Sequence, residues 1–470
     1  MEHTEFEQRL GAVLVREVAG CNELLSAERL SGGASQETYR LTTNTDMGPA
    51  LMCLRRAPGG VHIDDEVRIA PGLATEALLM RSAREVGVPE PDVYYVLQPA
   101  DGLGDGFVMQ WLEGEALGAR IARAEEFAGL RPRLAFQCGE YMARIHSIDL
   151  DATGLRDRLE TSSPQQFVEQ TWERYRLLDT PAPMIDFAAR WLMENLPANF
   201  QLALVHNDFR NGNFMVDGEK INAVLDWEIA HIGDPMRDLG WICTNSWRFG
   251  VTELPVGGFG SREDLFAGYE SVSGQKVDPD HVKFWEVFGS FWWAVGCLGM
   301  AEHYRSGPDQ TVERPAIGRR SSECQVDCVN LLIPGPVALV EAASAGTEQD
   351  MPRADELLVS VRDFLRQDVM SQTKGRTQFL SRVAGNSLDI VLRELSLGPP
   401  HRAQETQRLQ TLFDSDESLF ELRWRLVNGL RDGSIALDTP GLAAHLRATV
   451  VNQIAIDQPR YSGFTTACSH

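Results

Sequence analysis

The chain has 470 residues, 43% hydrophobic and 24% charged, which is the balance of a globular protein rather than a disordered or fibrous one, and it is too long for one ordinary domain. A formal net charge of -23 excludes general affinity for nucleic acid or anionic lipid, both of which need a positive surface that displaces counterions. The eight cysteines are scattered without the density of a disulfide scaffold, so reduced and mostly buried thiols are expected.

The N-terminus, MEHTEFEQRL, has no basic flank leading into an apolar run and does not resemble a signal peptide. No stretch reaches the roughly 20 apolar residues of a membrane span, so a cytoplasmic location without membrane contact is expected. Residues 1 to about 27 carry apolar positions at helical spacing, and Arg29 to Leu41 then reads as strand, turn, strand around Gly32-Gly33. A short strand, Ala50 to Arg55, precedes a helix from Leu73 to Val86 that Pro89 and Pro91 bring to an end. Val93 to Leu97 and Gly106 to Trp111 are two further strands, and helices dominate from residue 115, with Leu134, Cys138, Tyr141, Met142 and Ile145 on one face. Short strands return at Leu202–Val205, Phe214–Val216 and Ala223–Leu225, and the aromatic run from Val282 to Leu298 reads as a core helix. Cys324 and Cys328, four apart on a predicted helix, lack the second Cys/His pair that a structural zinc needs. Pro334-Gly335-Pro336 and the acidic stretch after it mark a boundary near residue 340, followed by an all-α tail with helices around 376–396, 403–431 and 440–456.

The turns between the later strands carry the chemistry. His206-Asn207-Asp208-Phe209-Arg210-Asn211-Gly212-Asn213 fits H-x-D-x-x-x-x-N, a loop that places a carboxylate, a cation and an amide within eight positions. Phosphoryl transfer needs a carboxylate to orient the attacking hydroxyl and accept its proton, which makes Asp208 the candidate base on a loop held by His206. Arg210 is a candidate for neutralising charge on the transferring phosphoryl. Asn213 and Asp226, eighteen residues after Asp208, offer the hard oxygen ligands that suit Mg2+. A capped surface turn accounts for His206 and Asp208 taken alone, but not for the whole set.

With these motifs the chain resembles the aminoglycoside phosphotransferase and choline kinase branch of the protein kinase-like superfamily, over about residues 28 to 335. The resemblance implies an α+β, two-lobed kinase-like fold: residues 1–110 as a β-rich nucleotide-binding lobe, 111–338 as a mainly helical catalytic lobe, and 348–470 as a C-terminal helical domain. It implies that ATP or GTP binds under the glycine hairpin Ser31-Gly32-Gly33-Ala34-Ser35, with the purine edge on backbone groups of Gln110, Trp111 and Leu112. The family's phosphate-binding lysine falls at Arg55, which keeps the charge but changes the geometry, and its glutamate partner at Glu76. Asp234, Asp238 and His146 match positions expected to buttress loops.

Leu54-Arg55-Arg56-Ala57-Pro58, the run from Gly233 to Gly240, and Ile317-Gly318-Arg319-Arg320 resemble one subgroup, the kinase domains fused to acyl-CoA dehydrogenases. That resemblance implies transfer of the γ-phosphoryl to a small-molecule hydroxyl, with a hydroxyacyl-CoA as the acceptor. An aminoglycoside acceptor, and a nucleotide-binding pseudokinase acting as an interaction module, are the competing readings. A homodimer and an acyl-CoA dehydrogenase partner are the assemblies open to it. The tail resembles an uncharacterised helical domain, in which Arg376, Arg382 and Arg393 are expected to be solvated.

Overall fold

A computed structural model describes residues 4–30, 36–60, 71–307, 309–343 and 351–469. The chain groups into two compact units, one of residues 1–163, 198–243 and 247–285, the other of residues 164–197, 244–246 and 286–470.

The first unit begins with helix Glu5–Glu17, started by a capping box in which Thr4 accepts the Glu7 N–H and the Glu7 side chain takes the Thr4 N–H. The helical spacing read across residues 1 to 27 is only half right, because Cys21–Arg29 is a strand, β1. Two irregularities in its pairing with β2 put the buried Cys21 and Leu24 three apart, so the bulged strand mimics a helical period. β2 (Glu37–Thr45) alternates with Glu37, Tyr39, Leu41 and Thr43 buried, and β3 (Gly48–Arg56) pairs with it in unbroken register. β4 (Val93–Val96) and β5 (Gly106–Gln110) complete an antiparallel sheet of order β1-β2-β3-β5-β4. Helix Leu73–Glu85 packs on β4 and β5.

The legs of the glycine hairpin are fastened by the Leu30 N–H to Thr38 carbonyl bond at 2.8 Å and by buried Glu37, whose carboxylate faces Arg29 at 3.2 Å and Arg56 at 2.8 Å. Ser31, Gly32, Gly33, Ala34 and Ser35 themselves lie outside the described residues.

Later in the same unit, helix Arg131–His146 crosses helix Arg262–Ser273, and β6 (Ala203–Val205) pairs with β9 (His231–Gly233) while β7 (Phe214–Val216) pairs with β8 (Ile221–Val224). Phe209, Phe214, Trp227 and Leu239 are buried in one apolar core beneath these strands. That core is the anvil against which the connecting loops are held.

The second unit is helical. Its C-terminal part contains helices Gly375–Phe413, Leu419–Asp432 and Leu442–Asp457. The break expected near residue 400 is absent: the helix runs through Pro399 and Pro400. Pro400 cannot bond the Ser396 carbonyl, and the Ala343 N–H takes that acceptor at 2.8 Å, so this carbonyl is not left without a donor. The break falls instead at Asp414, in the left-handed region, and Ser418 restarts the chain as a helix through a capping box with Glu421. Arg393, expected to be solvated, is half-buried and donates to the Ile456 carbonyl and, at 3.1 Å, to the Asp457 carbonyl at the end of helix Leu442–Asp457. All eight cysteines are free and seven are buried, and among the described residues no helix is long and apolar enough to cross a membrane.

Candidate active site

The loop between β6 and β7 is shaped from below by Asp238, on helix Met236–Cys243. Asp238 accepts the backbone N–H of His206 at 2.9 Å and of Asn207 at 2.7 Å. His146 meets the same carboxylate at 3.0 Å through Nε2 and the Tyr269 hydroxyl at 3.1 Å through Nδ1. Burial pushes the Asp238 carboxyl up, yet the His146 bond, the nearby imidazoles and the loop N–H hold it below its ordinary value. Asn207 adopts φ 68°, a left-handed turn that asparagine tolerates, and its side chain is fixed by the Ile229 carbonyl and by Arg237. Asp234 takes His281, Trp285 and the Met236 N–H. The expected buttressing by Asp234, Asp238 and His146 is therefore seen as hydrogen bonds.

His206 is fully buried. Its Nδ1 accepts the Asp208 N–H at 3.3 Å, so its Nε2 carries the proton and donates to the Leu225 carbonyl at 3.1 Å. Burial lowers its pKa, in keeping with this neutral tautomer. With both nitrogens spent inside the protein, His206 positions the loop and has no atom left to meet a substrate.

Asp208 sits above it, held by side-chain donors on both oxygens. Oδ1 accepts Trp241 Nε1 at 2.7 Å and Arg210 Nε at 3.0 Å, while Oδ2 accepts Arg210 Nη2 at 3.3 Å and the Asn213 amide. Arg210, expected to point at a phosphoryl group, clasps Asp208 instead, with its guanidinium 4.2 Å from the Trp247 ring centroid. Gly212, at φ 116°, lies where a Cβ would come within 2.4 Å of Arg210 Nη1.

Asn213 spends its amide nitrogen on Asp208, which turns its oxygen to the other side. Its carbonyl accepts the Leu225 N–H at 2.7 Å, so Asn213 and Asp226 come from two strand ends tied side by side. Asp226, at φ 69°, lies two residues past the end of β8. An amide oxygen and a carboxylate are a hard donor pair of the kind that fits Mg2+, and no group of three or more His, Cys, Asp or Glu that could hold a metal is found among the described residues.

The basic residue of β3 reaches the same place. Arg55 Nε lies 3.3 Å from Glu76, as the expected pair requires, but its Nη2 also lies 2.7 Å from Asp226 and 3.6 Å from Glu228. Burial opposes the charge on Arg55, and the three carboxylates outweigh it and raise its pKa. Burial pushes the Glu76 carboxyl up to about 7, with Asp226 and Glu228 adding to the shift and Arg55 opposing it. Glu76 is 3% exposed, so the partner of Arg55 is a buried carboxylate.

At the end of β5 the Gln110 N–H is bonded to the Asp92 carbonyl at 2.8 Å, so of the backbone groups expected to meet a purine this one is already engaged. Trp111 and Leu112 are half-buried. Sequence reasoning missed Glu228, Trp241 and Trp247. Glu228 had a usable signal, a second carboxylate two residues from Asp226 in the turn that follows β8. Trp241 had one too, three residues from Asp238 on one helix face.

A family model described as the phosphotransferase enzyme family matches residues 26–274, and one described as a domain of unknown function matches residues 371–461. Acyl-CoA dehydrogenase family member 10 of Mus musculus is 29% identical over 248 residues, covering 50% of this chain and 22% of that protein. Acyl-CoA dehydrogenase family member 11 of Rattus norvegicus is 26% identical over 401 residues, covering 78% of this chain and 48% of that protein. The chain thus spans at most about half the length of these curated relatives. A solved structure from Ralstonia eutropha, provisionally assigned as an aminoglycoside phosphotransferase, superposes with a TM-score of 0.55 at 22% identity over 68% of this chain and 95% of that one, which establishes a shared fold. That fold is the expected kinase-like mixture of sheet and helix with a helical C-terminal region. With more than half of its length matched, the chain belongs to the phosphotransferase enzyme family.

Proposed function

We propose that the protein transfers the γ-phosphoryl of ATP or GTP to a hydroxyl of a small molecule. The observation that carries this reading is the convergence of Asp208, Asn213 and Asp226 on two tied strand ends, with Arg55 reaching the same group from β3. In the proposed reaction the acceptor oxygen attacks the γ-phosphorus, its bond to the β-phosphate oxygen breaks, and the hydroxyl proton passes to Asp208. Asn213 and Asp226 would hold Mg2+, which when bound neutralises charge on the phosphates. Arg55 is proposed to bind the α- and β-phosphates from its anchor on Glu76. The nucleotide is proposed to lie beneath residues 31–35 and against the backbone of Gln110, Trp111 and Leu112.

For the acceptor we favour a hydroxyacyl-CoA or a similar hydroxylated metabolite, whose phosphorylated hydroxyl is activated for elimination. One thing supports it over an aminoglycoside: the curated relatives are named as acyl-CoA dehydrogenases. One observation favours the pseudokinase reading, namely that the Arg55 guanidinium lies 2.7 Å from the proposed metal ligand Asp226.

Magnesium-dependent transfer from ATP and GTP, measured across hydroxyacyl-CoAs, aminoglycosides and choline, decides between them. We expect turnover with a hydroxyacyl-CoA, lowered on the order of 10² to 10⁴-fold in Asp208→Ala. Nucleotide binding without any transfer, unchanged by Asp208→Ala, establishes the pseudokinase instead.

A further inference from the structure

The Asp208 carboxylate has room for about four hydrogen bonds, two on each oxygen. In this structure four are made, by Trp241 Nε1, Arg210 Nε, Arg210 Nη2 and Asn213 Nδ2. An acceptor hydroxyl that is to lie against this carboxylate must therefore displace a donor. The four donors differ in how easily they leave. Arg210 is a long side chain, 22% exposed, whose Nη2 contact is the weakest of the set at 3.3 Å. Asn213 is buried, and its amide nitrogen also bonds the Asp208 carbonyl at 3.0 Å. Trp241 is 1% exposed, and its indole is packed from two sides, by Trp247 in an edge-on contact with centroids 5.1 Å apart and by the Arg237 guanidinium 4.6 Å from the ring. Arg237 is itself buried and fixed through Nε to Asn207 on the same loop.

The donor that yields is thus Arg210, and the donor that stays on Oδ1 is the indole. We propose that Trp241 is a positioning residue for phosphoryl transfer: its Nε1–H fixes the plane of the Asp208 carboxylate, so that when the acceptor displaces Arg210 the vacated lone pair still points at the hydroxyl. An indole suits the task because it donates one hydrogen bond, accepts none, and carries no charge to compete for the phosphates. A fixed donor makes its contribution when the acceptor is engaged, so its removal lowers kcat and leaves nucleotide affinity alone. The assignment rests on the proposed role of Asp208, and the experiment separates the two.

Trp241→Phe keeps the aromatic packing and deletes the donor. Steady-state transfer with magnesium-ATP should show kcat lowered about tenfold, as expected for a lost hydrogen bond to a charged group, with KM for ATP unchanged. Trp241→His, which returns a ring N–H, should recover part of the loss. Added to Asp208→Ala, the Trp241→Phe change should cost nothing further, because the group it positions is gone. An equal loss in the presence and absence of Asp208, or a rise in the KM for ATP with kcat intact, overturns the assignment. If neither parent nor variants transfer phosphate, the indole Nε1–H of Trp241, identified by its absence from the Trp241→Phe spectrum, is followed by NMR. A resonance shifted by Asp208→Asn and slow to exchange shows the positioning bond without the activity, which isolates the failure to the proposed function. A resonance indifferent to Asp208→Asn rejects the positioning role itself.

Discussion

Glu76 joins β3, through Arg55, to the helix behind it, and its ionisation is set by where it lies. Its carboxyl, pushed up to about 7, binds a proton in the folded chain that the unfolded chain has already released at about 4.5. Stability from this group is therefore complete below pH 4.5 and is lost as pH rises through 7, by about 3 kcal/mol. Glu76→Gln mimics the protonated form, so the variant should keep a flatter stability between pH 4.5 and 7 than the parent, measured by denaturant unfolding at fixed temperature. Arg55 should hold nucleotide less tightly in the variant above pH 7, where the parent pair is fully charged. A parallel pH dependence in parent and variant rejects the buried, half-ionised glutamate. This pair was legible in sequence through the family resemblance, since sixteen residues separate the end of β3 from the start of the helix. The bond from Arg55 to Asp226 was not, because it joins residues 171 apart and no local pattern encodes it. The same holds for Trp241, whose helix face was readable but whose indole hydrogen bond depends on how that helix meets the loop that carries Asp208.

Helices Arg131–His146 and Arg262–Ser273 approach through glycines on both sides. A Cβ on Gly139 would lie 2.1 Å from the Leu265 carbonyl oxygen, and one on Gly268 would lie 2.0 Å from the Phe136 carbonyl oxygen. Backbone cannot give way as a side-chain tip can, so Gly268→Ala must push the helices apart, at about 3 kcal/mol or more. The crossing brings His146 and Tyr269 together, and through His146 it fixes Asp238 and the backbone of His206 and Asn207. Gly268→Ala should therefore lower the melting temperature and depress turnover at temperatures where the chain is still folded. Full activity below the shifted melting point would show that the crossing supports stability alone. Elements of this kind were read well where one period rules, as in the helix Leu73–Glu85 and the alternating β2. They were misread where geometry disguises the period: bulges gave β1 a helical spacing, and a helix runs through two prolines with the Ser396 carbonyl, opposite Pro400, taken up by Ala343.

The helical unit is held by buried polar ties across long stretches of chain. Asp186, fully buried, accepts Trp172 Nε1 at 2.7 Å and Arg431 Nε at 2.8 Å, which joins the helices of residues 164–176 and 183–194 to helix Leu419–Asp432. A second buried layer lies deeper in the tail. Helix Gly375–Phe413 presents His401, Glu405 and Arg408, Leu419–Asp432 presents Arg423, and Leu442–Asp457 presents His445. Glu405 is taken by Arg423 in a two-pronged pair, with Nε at 2.7 Å. Burial holds the His445 pKa down at about 4, with Arg408, Arg423 and His401 adding to the shift and Glu405 opposing it, and burial lowers His401 in the same direction. Both imidazoles are neutral near pH 7. As pH falls from 6.5 towards 4 the unfolded chain takes up protons that the folded tail refuses, so stability present above 6.5 is lost, by about 3 kcal/mol for His445. His445→Leu removes the titrating group while keeping an apolar side chain. Amide exchange in residues 442–457, expressed as protection factors so that intrinsic exchange cancels, should fall between pH 6.5 and 4 in the parent and fall less in the variant. Because exchange is read segment by segment, the test reports on the tail without assuming that the whole chain unfolds in one step. Equal loss of protection in both chains would place the acid sensitivity of the tail on other groups and leave His445 a passive filler of its layer.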